Sequence, residues 1–337
     1  MGRKIGIAAL LTLFGIFAVP FGIKSGHAAA QPKTAAAESC DYSCLTGWID
    51  RYLKAVNAHD PSQIAVAPGV KFTENTIRLK LGDALWGTMS GLGTYKLYFA
   101  DPQSGQAGFE GTIRENGTPA IILVRLKIVD NKITEIESVV HRNAQDAEAF
   151  EKFGRPNPVW TQALEPAQKT SRAEMVKAAR AYFSGILHSS GDSVPFDPKC
   201  NRILDGYQDT NNPTAKGWFD KDSFRPDAMD IRQNMNTHIW TYIKSIDPQR
   251  YPVVDEKMGI VLGFLMFNHP GNIKWADVPG VGKVPMPPVT QRPSTVEMAE
   301  FFKIESGKIR QIEGTSLALP YGAPSGWDSA RSAAQGD

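Results

Sequence analysis

The chain has 337 residues, of which 42% are hydrophobic, 21% charged and 9% aromatic; this is a globular composition, long enough for two domains and neither disordered nor fibrous. Its 37 lysines and arginines against 35 acidic residues give a formal charge of +2, with no basic stripe to follow a phosphate backbone. Nucleic acid is therefore not an expected partner.

Arg3 and Lys4 precede an apolar run from Ile5 to Val19, and the small-residue stretch His27-Ala28-Ala29-Ala30 follows. That order reads as a secretory signal over residues 1–30, cleaved near Ala30. A membrane anchor is the competing reading, but about 15 apolar residues fall short of the roughly 20 that span a bilayer. The expected mature protein is exported, periplasmic or extracellular, and has no membrane partner. All three cysteines, Cys40, Cys44 and Cys200, lie beyond that cleavage point, where disulfides form. Either Cys200 bridges to Cys40 or Cys44, or Cys40 closes a tight loop on Cys44; one thiol stays unpaired. C-x3-C with one distant cysteine is not a zinc set, and no metal is expected.

Leu45, Trp48, Ile49, Tyr52, Leu53 and Val56 fall at helical spacing. Strands follow near Gln106 to Arg114 and Ala120 to Val129, around the tight turn Glu115-Asn116-Gly117-Thr118. A hairpin turning at Asp130-Asn131 ends in Ile136-Glu137. After a Pro-containing linker over residues 143–169, Ser171-x-x-Glu174 opens a second amphipathic helix as a capping box. Its Met175, Ala178, Ala179, Tyr182, Phe183 and Ile186 sit 130 positions after the first set. A further helix is predicted from Ala228 to Ile246, then a strand from Ile260 to Phe267 and a Pro- and Gly-rich loop from Pro270 to Pro293. The closing hairpin Phe302–Glu313, turning at Ser306-Gly307, repeats Leu126–Glu137 at an offset of 176, and Asp255-x3-Gly259 repeats Asp101-x3-Gly105 at 154. Each copy is a helix followed by a largely antiparallel sheet, an α+β arrangement. The expected organisation is a first domain over 40–142, the linker, a second domain with loop insertions over 170–327, and a tail over 328–337.

The opening helix ending in Ala58-His59-Asp60, and the closing hairpin of the form apolar-Lys-Ile-x-x-(Asn/Gly)-Lys-Ile-x-x-Ile-Glu, resemble the SnoaL-like branch of the nuclear-transport-factor-2-like superfamily. The mature chain resembles its secreted tandem members over roughly residues 40 to 327, through segments such as Phe72-Thr73-Glu74-Asn75 and Tyr98-Phe99-Ala100-Asp101. The resemblance implies two tandem cone-shaped domains, each a curved, mostly antiparallel sheet wrapped around N-terminal helices with an apolar pocket inside. It also implies sheet-face pairing, as an internal pseudo-dimer or a homo-oligomer. Such folds serve cofactor-free isomerases, dehydratases, epoxide hydrolases and polyketide cyclases, and also binding domains without catalysis; the fold alone does not choose.

GxSxG, HExxH, GxGxxG and a complete phosphate loop are missing, which disfavours a serine hydrolase, a zinc peptidase or a nucleotide enzyme; no cofactor is expected. With Ser306-Gly307 as a two-residue turn, an unbroken ladder sets Glu300 across from Glu313 on the face of Met298, Phe302 and Ile304. Two carboxylates on an apolar face repel, one pKa rises, and the pair serves as acid and base without a metal. His238 and Tyr242, one turn apart on the predicted helix, are further acid/base candidates. Tyr182, Trp240, His269 at a strand end, Arg125 within an apolar strand, and His141 are candidate substrate-binding residues. Arg125 suits either a substrate oxygen or an ion pair. The polar insertion Asp209-Thr210-Asn211-Asn212, with Trp218, forms a lid or a second recognition surface. The expected function is an exported, cofactor-independent isomerase or lyase acting on a small apolar or aromatic molecule; the alternative is a non-catalytic ligand-binding or interaction module.

Overall fold

The computed structural model describes residues 40–215, 219 and 224–327. The signal over 1–30, the tail over 328–337 and Trp218 lie outside the described residues. Among the described residues no helix is long and apolar enough to cross a membrane.

The architecture is α+β and is written twice. The first helix, Tyr42–Asn57, starts where the Asp41 carboxylate accepts the Cys44 amide at 2.8 Å, and it buries the apolar set named above. Strands β1 (Val66–Glu74), β2 (Ile77–Leu79), β3 (Met89–Asp101), β4 (Gln106–Glu115), β5 (Thr118–Val129) and β6 (Lys132–His141) form one sheet in the order β2-β1-β6-β5-β4-β3. After the second helix, Arg172–His188, come β7 (Phe196–Leu204), β8 (Tyr207–Gln208), β9 (Ser245–Asp255) and β10 (Ile260–His269). A small hairpin of β11 (Trp275–Val278) and β12 (Gly282–Pro285) occupies the Pro- and Gly-rich stretch, and β13 (Ser294–Glu305) and β14 (Lys308–Leu319) close the chain. The second sheet runs β8-β7-β14-β13-β10-β9, the same order as the first. In each, β1–β6 or β7–β14 pair in parallel and the other neighbours antiparallel. Both sheets are thus mixed.

Each sheet packs its inner face on its own helix. The outer faces pack on each other through Tyr95, Leu97, Phe99, Leu123, Val253, Leu262, Phe264 and Phe301. The layers are helix, sheet, sheet, helix. The stretch 143–169 is no bare linker: it carries the helices Ala144–Glu151 and Pro158–Thr161, and drives Phe150 and Trp160, both fully buried, into the seam between the sheets.

The Asp-x3-Gly repeat ties the two halves together reciprocally. Asp255 accepts the Ala100 amide at 3.1 Å, and Asp101 accepts the Val254 amide at 3.1 Å. Gly105 and Gly259 turn the corners with φ of +66° and +68°, and a Cβ there would lie 2.7 Å from the Ile128 carbonyl oxygen or 2.5 Å from that of Ile304. Only glycine meets both demands.

Two expectations need correction, and the cysteine alternatives resolve. Glu300 and Glu313 do not face each other. Arg310 bulges out of β14, so pairing passes from Ile304–Ile309 to Lys303–Gln311, and Glu300 lies opposite Gly314 while Glu313 lies opposite Phe301. One extra residue sends the two side chains to opposite faces. The long helix from Ala228 to Ile246 is broken. Asp230 caps the short helix Ile231–Met235, Thr237 Oγ1 bonds back to the Asn234 carbonyl, and His238 takes a left-handed φ of +63° before a 3-10 turn. Cys40 pairs with Cys44, and Cys200 is a buried free thiol.

The first repeat bulges at the equivalent residue, Thr134, which sets Arg125 opposite Glu137 on the outer face. Glu137 accepts Arg125 Nε at 2.9 Å and is also paired with Arg250 of the second repeat. Arg125 reaches Glu135 at 2.8 Å as well. Burying Glu137 is tolerable only because two guanidinium groups flank it. Glu137→Ala is expected to cost about 3 kcal/mol or more in urea unfolding, against less than about 1 kcal/mol for the more exposed Glu135→Ala. Equal costs would show that the buried pair is not what fixes this seam.

Candidate functional site

Of the residues predicted for the second repeat's interior, Glu300, Tyr182, Tyr242 and Trp240 gather around an arginine that the sequence reading did not single out. Arg202 on β7 donates from Nε to Glu300 Oε1 at 2.8 Å and is also paired with Asp209, just beyond β8. Burial raises the pKa of both carboxyls, and Arg202 pulls each part of the way back. Glu300 Oε2 and Asp209 Oδ1 are buried without a partner among the described residues. Tyr182 lies fully inside, the Trp240 indole donates to Asn234 Oδ1 at 3.1 Å, and burial lifts the phenols of Tyr182 and Tyr242. The cavity that Tyr182, Arg202, Asp209 and Trp240 bound holds about 10 Å³, room for one water molecule.

The remaining candidates scatter. His238 is exposed on its left-handed corner and does not enter this space. His269 packs edge-on against Tyr242 with ring centroids 4.9 Å apart; burial lowers its pKa to about 4, so it stands neutral, with Nε2 unpartnered among the described residues. Arg125 is consumed by the ion pairs of the seam and is not a pocket residue. His141 lies between the repeats, 2.7 Å from the Ser316 carbonyl and 2.8 Å from Asp146. Burial pulls its imidazole down, but Asp205 and Asp146 outweigh that and hold it above its ordinary value.

Glu313 occupies the more consequential position. It sits fully buried on the outer face of β14, where Trp160 Nε1 donates to Oε2 at 2.8 Å and the Tyr95 hydroxyl donates to Oε1. Its neighbour across the seam is Glu110 on β4, whose Oε1 accepts the Thr315 hydroxyl at 2.8 Å and whose Oε2 is buried without a hydrogen-bond partner among the described residues. Two neighbouring buried carboxyls resist ionising together. Burial and the charge of Glu313 raise Glu110 far above the carboxylate range, so it keeps the proton. Burial also raises Glu313, but donation from Tyr95 and Trp160 holds it at about 7. The result is a protonated acid beside a carboxylate poised at neutral pH, as two macroscopic steps of one pair.

This pair backs onto a cleft of about 160 Å³, walled by Tyr95 and Glu313 and by the 153–157 turn. The contrast with Glu137 explains why the proton is there. At the offset of 176, Glu137 and Glu313 are equivalent, and so are the residues opposite them, Arg125 and Phe301. The first repeat supplies a cation and the second a phenyl ring. Sequence reading named Glu313 but gave it the wrong partner. Glu110 was missed, although a lone carboxylate in Ala107-Gly108-Phe109-Glu110-Gly111 is as conspicuous as Arg125 in its strand.

A carboxyl with a raised folded pKa stabilises the fold fully below its unfolded value of 4.5 and loses that contribution as pH rises through about 7. The melting temperature is therefore expected to fall between pH 5 and 8, with Glu313 contributing on the order of 3 kcal/mol, and Glu313→Gln to reduce the slope. Asp255, raised by burial to about 6, and the other carboxyls that burial raises, Glu110, Glu297, Glu300 and Asp209, supply the residual slope. An unchanged pH profile in Glu313→Gln would exclude the raised pKa of Glu313.

Over residues 168–316 the chain matches a family model described as a domain of unknown function (DUF8021). That span runs from just before the second helix into β14 and includes Arg202, Glu300 and Glu313, but neither Glu110 nor Tyr95. No curated protein matches the chain.

Proposed function

We propose that the chain is an exported small-molecule protein whose reaction centre is the cleft between its repeats, where it carries out cofactor-free acid/base chemistry of the isomerase or lyase kind. The Cys40–Cys44 disulfide supports export, since such bonds persist in oxidising compartments. The duplicated order of one helix and six strands supports the cone-shaped, SnoaL-like reading of each repeat. In this reading the second interior, with room for one water, is a structural polar knot and not the substrate pocket. The substrate carries polar groups, because the cleft walls do.

One observation carries the proposal: Glu313 and its neighbour Glu110 are both fully buried, and no cation pairs with Glu313 among the described residues. Glu313 is the base that takes a proton from a substrate C–H, Glu110 stores the proton that keeps the pair at a single negative charge, and the Tyr95 hydroxyl orients the base. The proton returns to a neighbouring carbon in an isomerisation or to a departing hydroxyl in a dehydration. A second reading, ligand binding without turnover, is favoured by the fact that both Glu313 oxygens already have protein donors.

Incubating the protein with the small-molecule fraction of spent culture medium and following it by mass spectrometry separates these. The acid/base reading expects one component to be converted, with Glu313→Gln slower by roughly 10²–10⁴-fold and Glu110→Gln also impaired. Full conversion by Glu313→Gln excludes the assignment; a component retained unchanged through native purification supports the binding reading.

A further inference from the structure

We infer that the cleft between the repeats is built for a neutral, polyhydroxylated ligand of monosaccharide or cyclitol size; this rests on the cleft as the ligand site but not on the chemistry assigned to Glu313. The floor is a grid laid down by strand register. Gln311 on β14 is the partner of Asn201 on β7, and Ile203, two residues further along that face, is the partner of both Glu313 and Gln208 on β8. Three side-chain amides thus share one surface with Glu313 at its edge, and all of them line the cleft.

Their remaining hydrogen-bonding capacity defines the ligand. Asn201 Oδ1 is taken by Asn211 Nδ2 at 2.7 Å, which leaves Asn201 Nδ2 as a donor. Gln208 Nε2 is spent on the Thr210 carbonyl at 2.8 Å, which leaves Gln208 Oε1 as an acceptor. Gln311 lines the cleft as well, and its amide carries both a donor and an acceptor.

A surface that alternates donor and acceptor matches hydroxyls, each of which gives one hydrogen bond and takes others. An anion would call for donors and positive charge throughout, and a cation for acceptors. The only cation at this cleft, Arg155, is exposed at the rim and has no ion pair among the described residues. Phe153, 41% exposed, also lines the cleft and offers apolar surface for the C–H face of a ring. The geometry also limits the reaction. Glu313 is the one carboxyl among the described residues that line the cleft, whereas cleavage of a glycosidic bond needs two that flank it. The fitted ligand is a free polyol, not a glycoside to be hydrolysed.

The test is NMR titration of the full chain with D-glucose, D-galactose and myo-inositol, beside glucuronate, glucosamine and phenol as charged and aromatic controls. The expected result is saturable shifts for at least one neutral polyol at resonances of β7, β14 and the 153–157 turn, weaker by tenfold or more in Gln311→Ala and Asn201→Ala. Saturable binding of a control in the cleft with none for the neutral polyols, or affinity unchanged in both amide variants, overturns the inference. Cleft shifts absent from the whole panel overturn it as well. Polyol binding without any turnover would sink the acid/base proposal and leave this one standing, whereas turnover of a substrate without hydroxyls would do the reverse.

Discussion

One extra residue after the turn of each closing hairpin decides where this protein keeps its charge. Because Thr134 and Arg310 are bulged, Glu137 and Glu313 point away from their own helices and into the seam between the sheets. A carboxylate delivered into such a seam has to be neutralised, by a cation or by a proton. At Glu137 the answer is Arg125 and Arg250; at Glu313, which has donors in Tyr95 and Trp160 but no paired cation among the described residues, burial raises its pKa and that of neighbouring Glu110 toward the protonated form. The ion pairs lock one part of the interface, and the raised carboxyls leave the other sensitive to pH.

The seam is held by more than these acids. Asp101 and Asp255 exchange backbone hydrogen bonds across it, and Trp160 packs its indole on Phe301 at 4.8 Å between centroids while donating to Glu313. Trp160 belongs to the stretch that composition alone marks as a linker, and it is at once a core residue and a hydrogen-bond donor of the candidate site. The segment that joins the halves therefore helps to build the cleft. Near the C-terminus Trp327 lies against Lys71, Arg125 and Arg250, with ring contacts of 4.0, 4.8 and 5.4 Å, over the arginine-rich part of the same seam.

Much of the fold was legible because its signals are local or periodic. Apolar spacing defined both long helices, Asp130-Asn131 and Ser306-Gly307 marked the closing turns, and the 176-residue offset exposed the duplication before any strand order was known. The Asp-x3-Gly repeat was visible, though its reason was not, since the partner of each aspartate lies in the other half of the chain. The candidate site failed at one step. A ladder extrapolated from a two-residue turn assumes no bulge, and nothing in Lys308-Ile309-Arg310-Gln311 announces one. Glu300 and Glu313 were each picked as buried acids, which they are, but long-range pairing gave them Arg202 and Glu110 as neighbours. The predicted helix from Ala228 to Ile246 failed because periodicity does not register the Asn234–Thr237 back-bonding that stops it.

The exchange of Arg125 for Phe301 at matched positions has a further meaning. In a two-fold dimer of identical chains every substitution is made twice, so loss of the cation would strip both acids of their counter-charge together and leave two frustrated interfaces. Fusing the copies into one polypeptide removes that coupling. One end of the seam keeps its arginines while the other carries a phenyl ring, a difference that a dimer of identical chains could not hold.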